Sequence, residues 1–198
     1  MRKGEQKKQE KLARIVAAAK EAFTFQRFED VRIDRIAQQA SVAKGTVFLY
    51  AATKEELLFL AFRKELENQV FGSLEPLKGE AVRDWLLRHL LASCEYFQRS
   101  PVLGKTMVRA LGWTGPGALH VHDFAVRYEA VLAAHFGAYR AAGQIHERFD
   151  PGFLARFVID LFFGVQRRWL IDFITYEELR TQLSDNVDTL LLATQIDL

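Results

Sequence analysis

Apolar residues recur at three- and four-residue steps along nearly the whole chain, the spacing that lines one face of an α-helix. Leu12, Ile15, Val16, Ala19, Ala22 and Phe23 form the first such stripe and predict a helix from about Lys8 to Gln26. After a linker over residues 27–32, Ile33, Ile36, Ala37 and Ala40 predict a short second helix. Ser41 and Val42 then read as a turn before a brief third helix, Ala43 to about Leu49. Thr53-Lys54-Glu55-Glu56 reads as a capping box that opens a fourth helix, carried onward by Leu57, Leu58, Leu60, Ala61 and Leu66. In such a box the Thr53 hydroxyl accepts from the Glu56 amide while the Glu56 carboxylate reaches back.

The helical spacing continues to the end. One segment runs from Glu80 to about Arg99, with Val82, Trp85, Leu86, His89, Leu90 and Phe97 facing inward. Another runs from Pro101 to near Gly112, where Gly112, Gly115, Pro116 and Gly117 form a breaker cluster. A long helix follows from about Ala118 to Ala142. The next starts at Pro151, a residue that the first turn of a helix tolerates, and runs to about Phe173. Glu177 to Thr194 makes the last. No alternating strand pattern exceeds a few residues, so the predicted fold class is all-α with about nine helices.

Composition narrows the picture. The 198 residues are about half hydrophobic, enough for one ordinary core or for a small domain joined to a larger one. With 4 Pro and 12 Gly the chain is neither collagen-like nor of low complexity. Cys94, the single cysteine, closes no intramolecular disulfide and offers no zinc constellation. No apolar run reaches the length of a membrane span, and the N-terminus leads into an amphipathic segment rather than a signal-peptide core. The expectation is a soluble cytoplasmic protein without a membrane segment. The overall charge of +2 is an average over unlike parts. Through Lys54 there are 12 Lys plus Arg against 6 Asp plus Glu, a net of +6, and the remaining 144 residues carry 15 against 19, a net of −4. A basic module joined to a neutral or acidic one suits a nucleic-acid partner. Charge alone favours a solvated basic face, so geometry has to decide.

Three short helices, the third brief and entered by a tight turn, follow helix-turn-helix logic. The decisive blocks are Ile36-Ala37, then Val42-Ala43-Lys44-Gly45-Thr46-Val47-Phe48-Leu49-Tyr50, then Thr53-Lys54-Glu55-Glu56-Leu57-Leu58. In that order and at those spacings they resemble the TetR family of transcriptional regulators. Residues 12–58 match that family's N-terminal pattern nearly throughout, including Ala18, Phe23 and Phe28. The rest of the chain matches in length and helical character. The resemblance implies a helix-turn-helix DNA-binding domain over residues 1–52 and a helical effector-binding and dimerisation domain over 53–198.

The residues of the motif suit that role. Gly45 has no side chain to keep the third helix from the groove. Lys44 is suited to a phosphate or to the O6/N7 edge of guanine, and Thr46 offers both a hydroxyl and a methyl to a base edge. Phe48 suits a thymine methyl or, nearly as well, the core. Tyr50 can give its hydroxyl to a phosphate. Lys54 sits in the first turn of the fourth helix, where free amides favour an anion. Arg32 adds a backbone contact from the start of the second helix, whereas Val42 and Val47 read as packing residues. Arg27 stands where the family usually has a glycine in a left-handed helix end, so strain is expected there. Ser41 replaces another common glycine. Leu49 and Ala51 stand where the family often has aromatic residues, and Leu49 cannot donate to a phosphate.

No constellation supports catalysis. His89, His120, His122, His135 and His146 lack an acidic residue three positions before them, so the Glu-x-x-His pattern of di-iron bundles is missing. His120 and His122, two apart, point away from one another on a helix. Glycine-rich phosphate loops and a nucleophile elbow are also missing. No catalytic residue, metal or cofactor is assigned. By resemblance, helices four to eight enclose a gap for a small apolar or aromatic effector. The candidates for its wall are Trp85, His89, Phe97, Met107, Trp113, Phe124 and Phe162, each of which also suits the core. The Gly112–Gly117 segment reads as a mobile portal or as an ordinary connection. The last two helices are more apolar than one buried face requires, and the resemblance implies that they pair with their twins in a homodimer. Two-fold symmetry then places two third helices in successive major grooves of double-stranded DNA, so the operator is expected to be an inverted repeat. The function expected is a repressor released from that operator by its ligand. The rivals are a helical binding or scaffold protein whose basic head no longer reads DNA, and a small all-α enzyme.

Overall fold

A computed structural model describes residues 3–110 and 118–195. Among them stand nine α-helices and no strand: α1 Lys3–Phe25, α2 Ile33–Gln39, α3 Lys44–Phe48, α4 Lys54–Leu74, α5 Val82–Arg99, α6 Pro101–Ala110, α7 Ala118–Ala141, α8 Pro151–Leu170 and α9 Tyr176–Gln195. All-α is therefore the fold class. The helices fall where the apolar spacing predicts, with one larger difference: α1 begins at Lys3, well ahead of its apolar stripe. The added turns are rich in Lys, Gln and Glu, which are good helix formers and extend a helix without a core to grip. The Gly112–Gly117 segment and Trp113 lie outside the described residues.

Contacts divide the chain into two compact units, Met1–Glu65 with Thr106–His122, and Leu66–Lys105 with Asp123–Leu198. This contact division falls inside α4, after Glu65. Leu57, Leu58, Ala61 and Phe62, in the first half of α4, are buried and belong to the first unit.

In the first unit, α1 contributes Ile15, Ala18, Ala19, Ala22 and Phe23 to the core, α2 contributes Ile36 and Ala37, and α3 contributes Val47. Each large aliphatic side chain buried in this way stabilises the unit by about 1.5–3 kcal/mol. The turn from α2 to α3 passes through Ser41, whose φ of 54° lies in the left-handed region, and is closed by the Val42 amide donating to the Ala37 carbonyl at 2.9 Å. That conformation costs a non-glycine residue about 1–2 kcal/mol. Arg27, by contrast, is extended at φ −63°, ψ 146°, so the strain expected there is absent. The physical reason is local: α1 ends with Gln26 bonded to the Ala22 carbonyl, and the chain passes into a 3-10 turn over Phe28–Asp30 without a left-handed residue. Strain sits at the other replaced glycine, Ser41.

The capping box of α4 forms, with a change of partner. The Glu56 amide donates to the Thr53 hydroxyl at 3.1 Å, while the Glu56 carboxylate accepts from the amide of Ala52. It reaches one residue further back than the simplest form of the motif.

The second unit is built on α5, α7, α8 and α9, with α9 packed against both α5 and α8. Trp85, Leu86, Leu132, Leu154 and Leu179 are fully buried in it, and the Trp85 indole donates to the Leu74 carbonyl at 2.6 Å, satisfying the C-terminus of α4. Asp150 caps α8 by accepting from the Phe153 amide at 2.7 Å, with Pro151 in the first turn as its sequence position predicts. Phe97, expected to face inward on α5, is half-buried.

One consequence is measurable. Thr53→Ala removes the hydroxyl that accepts the Glu56 amide, and it should lower the stability of the first unit by about 1 kcal/mol in urea titration. Thr53→Ser should retain most of it.

Candidate nucleic-acid interface

Five residues make a helix too short to persist alone, because nucleation costs more than one turn returns. α3 persists because Val47 and, just after it, Ala51 are buried on its inner side. At 100° per residue, Gly45 and Leu49 stand one turn apart on the opposite, outer side, with Phe48 and Thr46 flanking them. Lys44, Gly45, Phe48 and Leu49 are exposed and Thr46 is half-buried. Phe48 retains 43% exposure and Leu49 83%, so neither is a core residue of this unit.

Gly45 has no internal explanation. A Cβ built there meets nothing within 4 Å, and its φ is not positive. Glycine in a helix costs roughly 0.5–1 kcal/mol relative to alanine, and nothing within the chain offsets that cost.

The flanking polar residues are held in place. Tyr50 donates its hydroxyl to the carbonyl of Lys8 at 3.1 Å. Lys54 donates to the Glu29 carbonyl at 3.1 Å and lies 4.8 Å from the centre of the Phe28 ring, which stacks on Phe23. Arg32 is paired with Asp34 at 3.2 Å, both exposed. The Asp34 carboxyl lies below its ordinary range, first through a backbone hydrogen bond and then through the charges of Arg32 and Lys44. Exposed pairs of this kind are worth under about 1 kcal/mol, so a phosphate can exchange with them. Sequence reasoning missed the exposed lysines of the extended α1. Their signal is charge without an apolar stripe.

The effector candidates lie in the second unit, except for those near α6. Trp85 is fully buried, edge-on to Phe136 at 5.4 Å, and Phe162 is buried in the same core. Phe97 and Phe124 are half-buried. Met107 lies on α6, with its side chain outside the described residues, as is Trp113. His89 and Phe124 meet through Tyr128, a residue that sequence reasoning did not single out. The Tyr128 ring stacks with Phe124 at 6.2 Å, and its hydroxyl lies 2.7 Å from His89 Nε2. Ser73 Oγ lies 2.8 Å from His89 Nδ1 and also bonds the Val70 carbonyl at 3.0 Å. The network is satisfied when Ser73 donates to its own helix, His89 donates from Nδ1, and Tyr128 donates to Nε2. A shallow surface groove of about 530 Å³ is lined by Arg83, Gln144, His146, Asp188 and Leu192 among others, and by none of the seven candidates.

Residues 15–61 match the model of the bacterial regulatory proteins of the tetR family. The fatty acid metabolism regulator protein of Bacillus subtilis (strain 168) is 31% identical over 74 residues, which are 37% of this chain and 38% of that protein. The chain therefore aligns with well under half the length of that relative. Among solved structures, Thermus thermophilus FadR, a TetR-family transcriptional repressor in complex with lauroyl-CoA, superposes with a TM-score of 0.68 at 23% identity, covering 94% of this chain and 96% of that one. FadR from Bacillus subtilis in complex with stearoyl-CoA gives 0.67 at 20% identity, covering 93% and 99%. A TetR-family regulator from Rhodococcus sp. gives 0.68 at 21%, covering 92% and 99%. These likenesses establish the fold over more than nine-tenths of the chain.

His89 yields a pH prediction. Burial pushes its pKa down from 6.5 to about 3, helped by the charges of Arg88 and His135. The unfolded chain takes up this proton below 6.5 and the folded chain does not, so stability falls as pH drops from 6.5 towards 3. The slope approaches roughly 1.4 kcal/mol per pH unit. Urea titrations at stepped pH should show it in the wild type. His89→Gln should be less stable at neutral pH and flatter by that amount.

Proposed function

We propose that this chain, whose head belongs to the TetR family of bacterial regulatory proteins, is a homodimeric repressor that leaves its operator when an apolar ligand binds. The observation that carries this reading is the outer face of α3, where Gly45 stands in open space between exposed Lys44, Phe48 and Leu49. On this reading Lys44 and Thr46 read base edges, Phe48 meets a thymine methyl, and Arg32, Tyr50 and Lys54 fix the head on the backbone. The protein acts in the cytoplasm, where its DNA is.

Fatty acyl thioesters of coenzyme A are the ligand class we favour. Support comes from the fatty acid regulator with which 74 residues of this chain align, and from fold neighbours solved with lauroyl-CoA and stearoyl-CoA. Tyr128, His89 and Phe124 form a largely buried aromatic cluster with a few polar groups, the residue types that such a site uses. α4 runs as one helix from Lys54 to Leu74, with residues in both units, and is the natural carrier of the signal. The ligand shifts the balance only by its difference in affinity for the two states.

The dimer face is assigned to α8 more than to α9. α8 exposes Phe153 and Phe157, stacked at 6.0 Å, with Gly164 on the same side and Ile171 just beyond its end. On α9 the apolar residues Leu179, Leu183, Val187 and Leu190 are buried, and its exposed positions are mostly polar, with Leu192 the large apolar exception. The excess of apolar residues that the sequence shows in both helices is therefore largely used up within α9.

Gel-shift titration against the DNA upstream of its own coding sequence should give a sequence-selective, salt-sensitive complex that lauroyl-CoA or stearoyl-CoA dissolves. Lys44→Ala and Thr46→Ala should each weaken it roughly 5- to 150-fold, the range for losing a base contact. A complex indifferent to sequence and to both substitutions would favour the scaffold reading. In sedimentation the wild type should run as a dimer, and Phe157→Arg should shift it to monomer.

A further inference from the structure

We infer that the N-terminal turns of α1 form a second phosphate-binding surface, which grips the DNA backbone beside the groove read by α3, and that Tyr50 positions it. The inference rests on the DNA-binding reading above and assigns a location to most of the attraction. Residues 1–14 hold six Lys and Arg against two Glu, a net of +4 out of the +6 carried through Lys54. The recognition helix itself holds one cation, Lys44.

The rest of the head's positive charge is largely engaged. Lys20 is paired with Glu65, Arg27 with Asp30, and Arg32 with Asp34, while Lys54 is bonded to the Glu29 carbonyl. On α1 the situation differs. Lys7, Lys8, Lys11 and Arg14 are all exposed, and among the described residues none of the four is paired with a carboxylate. Lys7, Lys11 and Arg14 follow one another at four- and three-residue steps and so share a helix face. Like charges at that spacing destabilise a helix slightly, and these turns have no core beneath them, since residues 4–11 are exposed throughout. A polyanion removes that repulsion.

Position supports the same partner. Tyr50 stands directly after α3, and its hydroxyl holds the Lys8 carbonyl at 3.1 Å across 42 residues of sequence. The bond keeps the first turns of α1 against the end of the reading helix, over a hollow of about 410 Å³ lined by Glu5, Lys8, Gln9, Leu12 and Tyr50. Phosphates flanking the groove are the anions within reach of a basic face placed there. Tyr50 is then a positioning residue as well as a phosphate candidate.

Fluorescence anisotropy with two labelled duplexes of equal length tests this, one from the protein's own upstream DNA and one unrelated. Affinity is measured over a range of salt concentrations. Replacing Lys7, Lys8 and Lys11 together by Gln should flatten the slope of log affinity against log salt by about 2.7, at roughly 0.9 per phosphate contact. Affinity should fall equally on both duplexes, with the preference between them intact. Lys44→Ala should do the opposite, eroding the preference. Tyr50→Phe should flatten the slope part of the way towards the triple variant. A triple variant with the wild-type slope overturns the inference while leaving the DNA-binding reading in place. Wild-type protein that binds neither duplex overturns that reading itself. Circular dichroism of the variants confirms that the helices are retained.

Discussion

A helix of five residues such as α3 cannot hold its own shape, and everything at the head of this protein follows from that constraint. Val47 and Ala51 give α3 a grip on the core. The left-handed Ser41 lets α3 leave α2 sharply enough to present its other side. The Thr53–Glu56 box starts α4 a few residues later, so the segment is fixed at both ends. The outer side is thereby free of structural duty. It can carry a glycine that helix stability disfavours and a leucine that burial would favour. Residues that cost stability in the isolated chain and lie together on one exposed face are what a binding surface looks like before its partner arrives.

The charges follow a related division of labour. Close to α3 the cations are few and mostly engaged with carboxylates or carbonyls, which holds their side chains in register. Among the described residues, Lys7, Lys8, Lys11 and Arg14 on α1 and Lys44 on α3 are exposed and not paired with a carboxylate. On the proposed reading, orientation and attraction come from different helices, in keeping with the general separation between phosphate contacts that position and base contacts that specify. In the second unit the polar chemistry is turned inward instead. Ser73, His89 and Tyr128 link α4, α5 and α7 by hydrogen bonds inside an apolar core. Burial keeps His89 neutral and pushes the Tyr128 hydroxyl pKa up, so the network is uncharged at ordinary pH.

Much of this was legible in the sequence, and the reasons it was or was not are physical. Helices with an apolar stripe announce themselves by period, so α2, α4, α5, α8 and α9 fall close to their expected places. The first turns of α1 have no stripe because they touch no core, and only helix propensity and charge mark them. Arg27 and Ser41 look alike as replacements of glycine, yet only the backbone shows that one end needs a left-handed residue and the other does not. Phe48 suits both core and surface by residue type, and the phase of a five-residue helix decides between them. Ser73 and Tyr128 carry no pattern that links them to His89, since the link exists only once three helices are packed. The apolar count of α9 promised an exposed face, but α5 and α8 cover it.

The central claim is that two copies of this head seat their α3 helices in successive major grooves of one DNA site. Hydroxyl-radical footprinting of the protein on its own upstream DNA measures that arrangement directly. The account predicts two protected patches on each strand, about 10 bp apart from centre to centre and related by two-fold symmetry. Uniform cleavage at saturating protein, or a single patch without a symmetric mate, would contradict it.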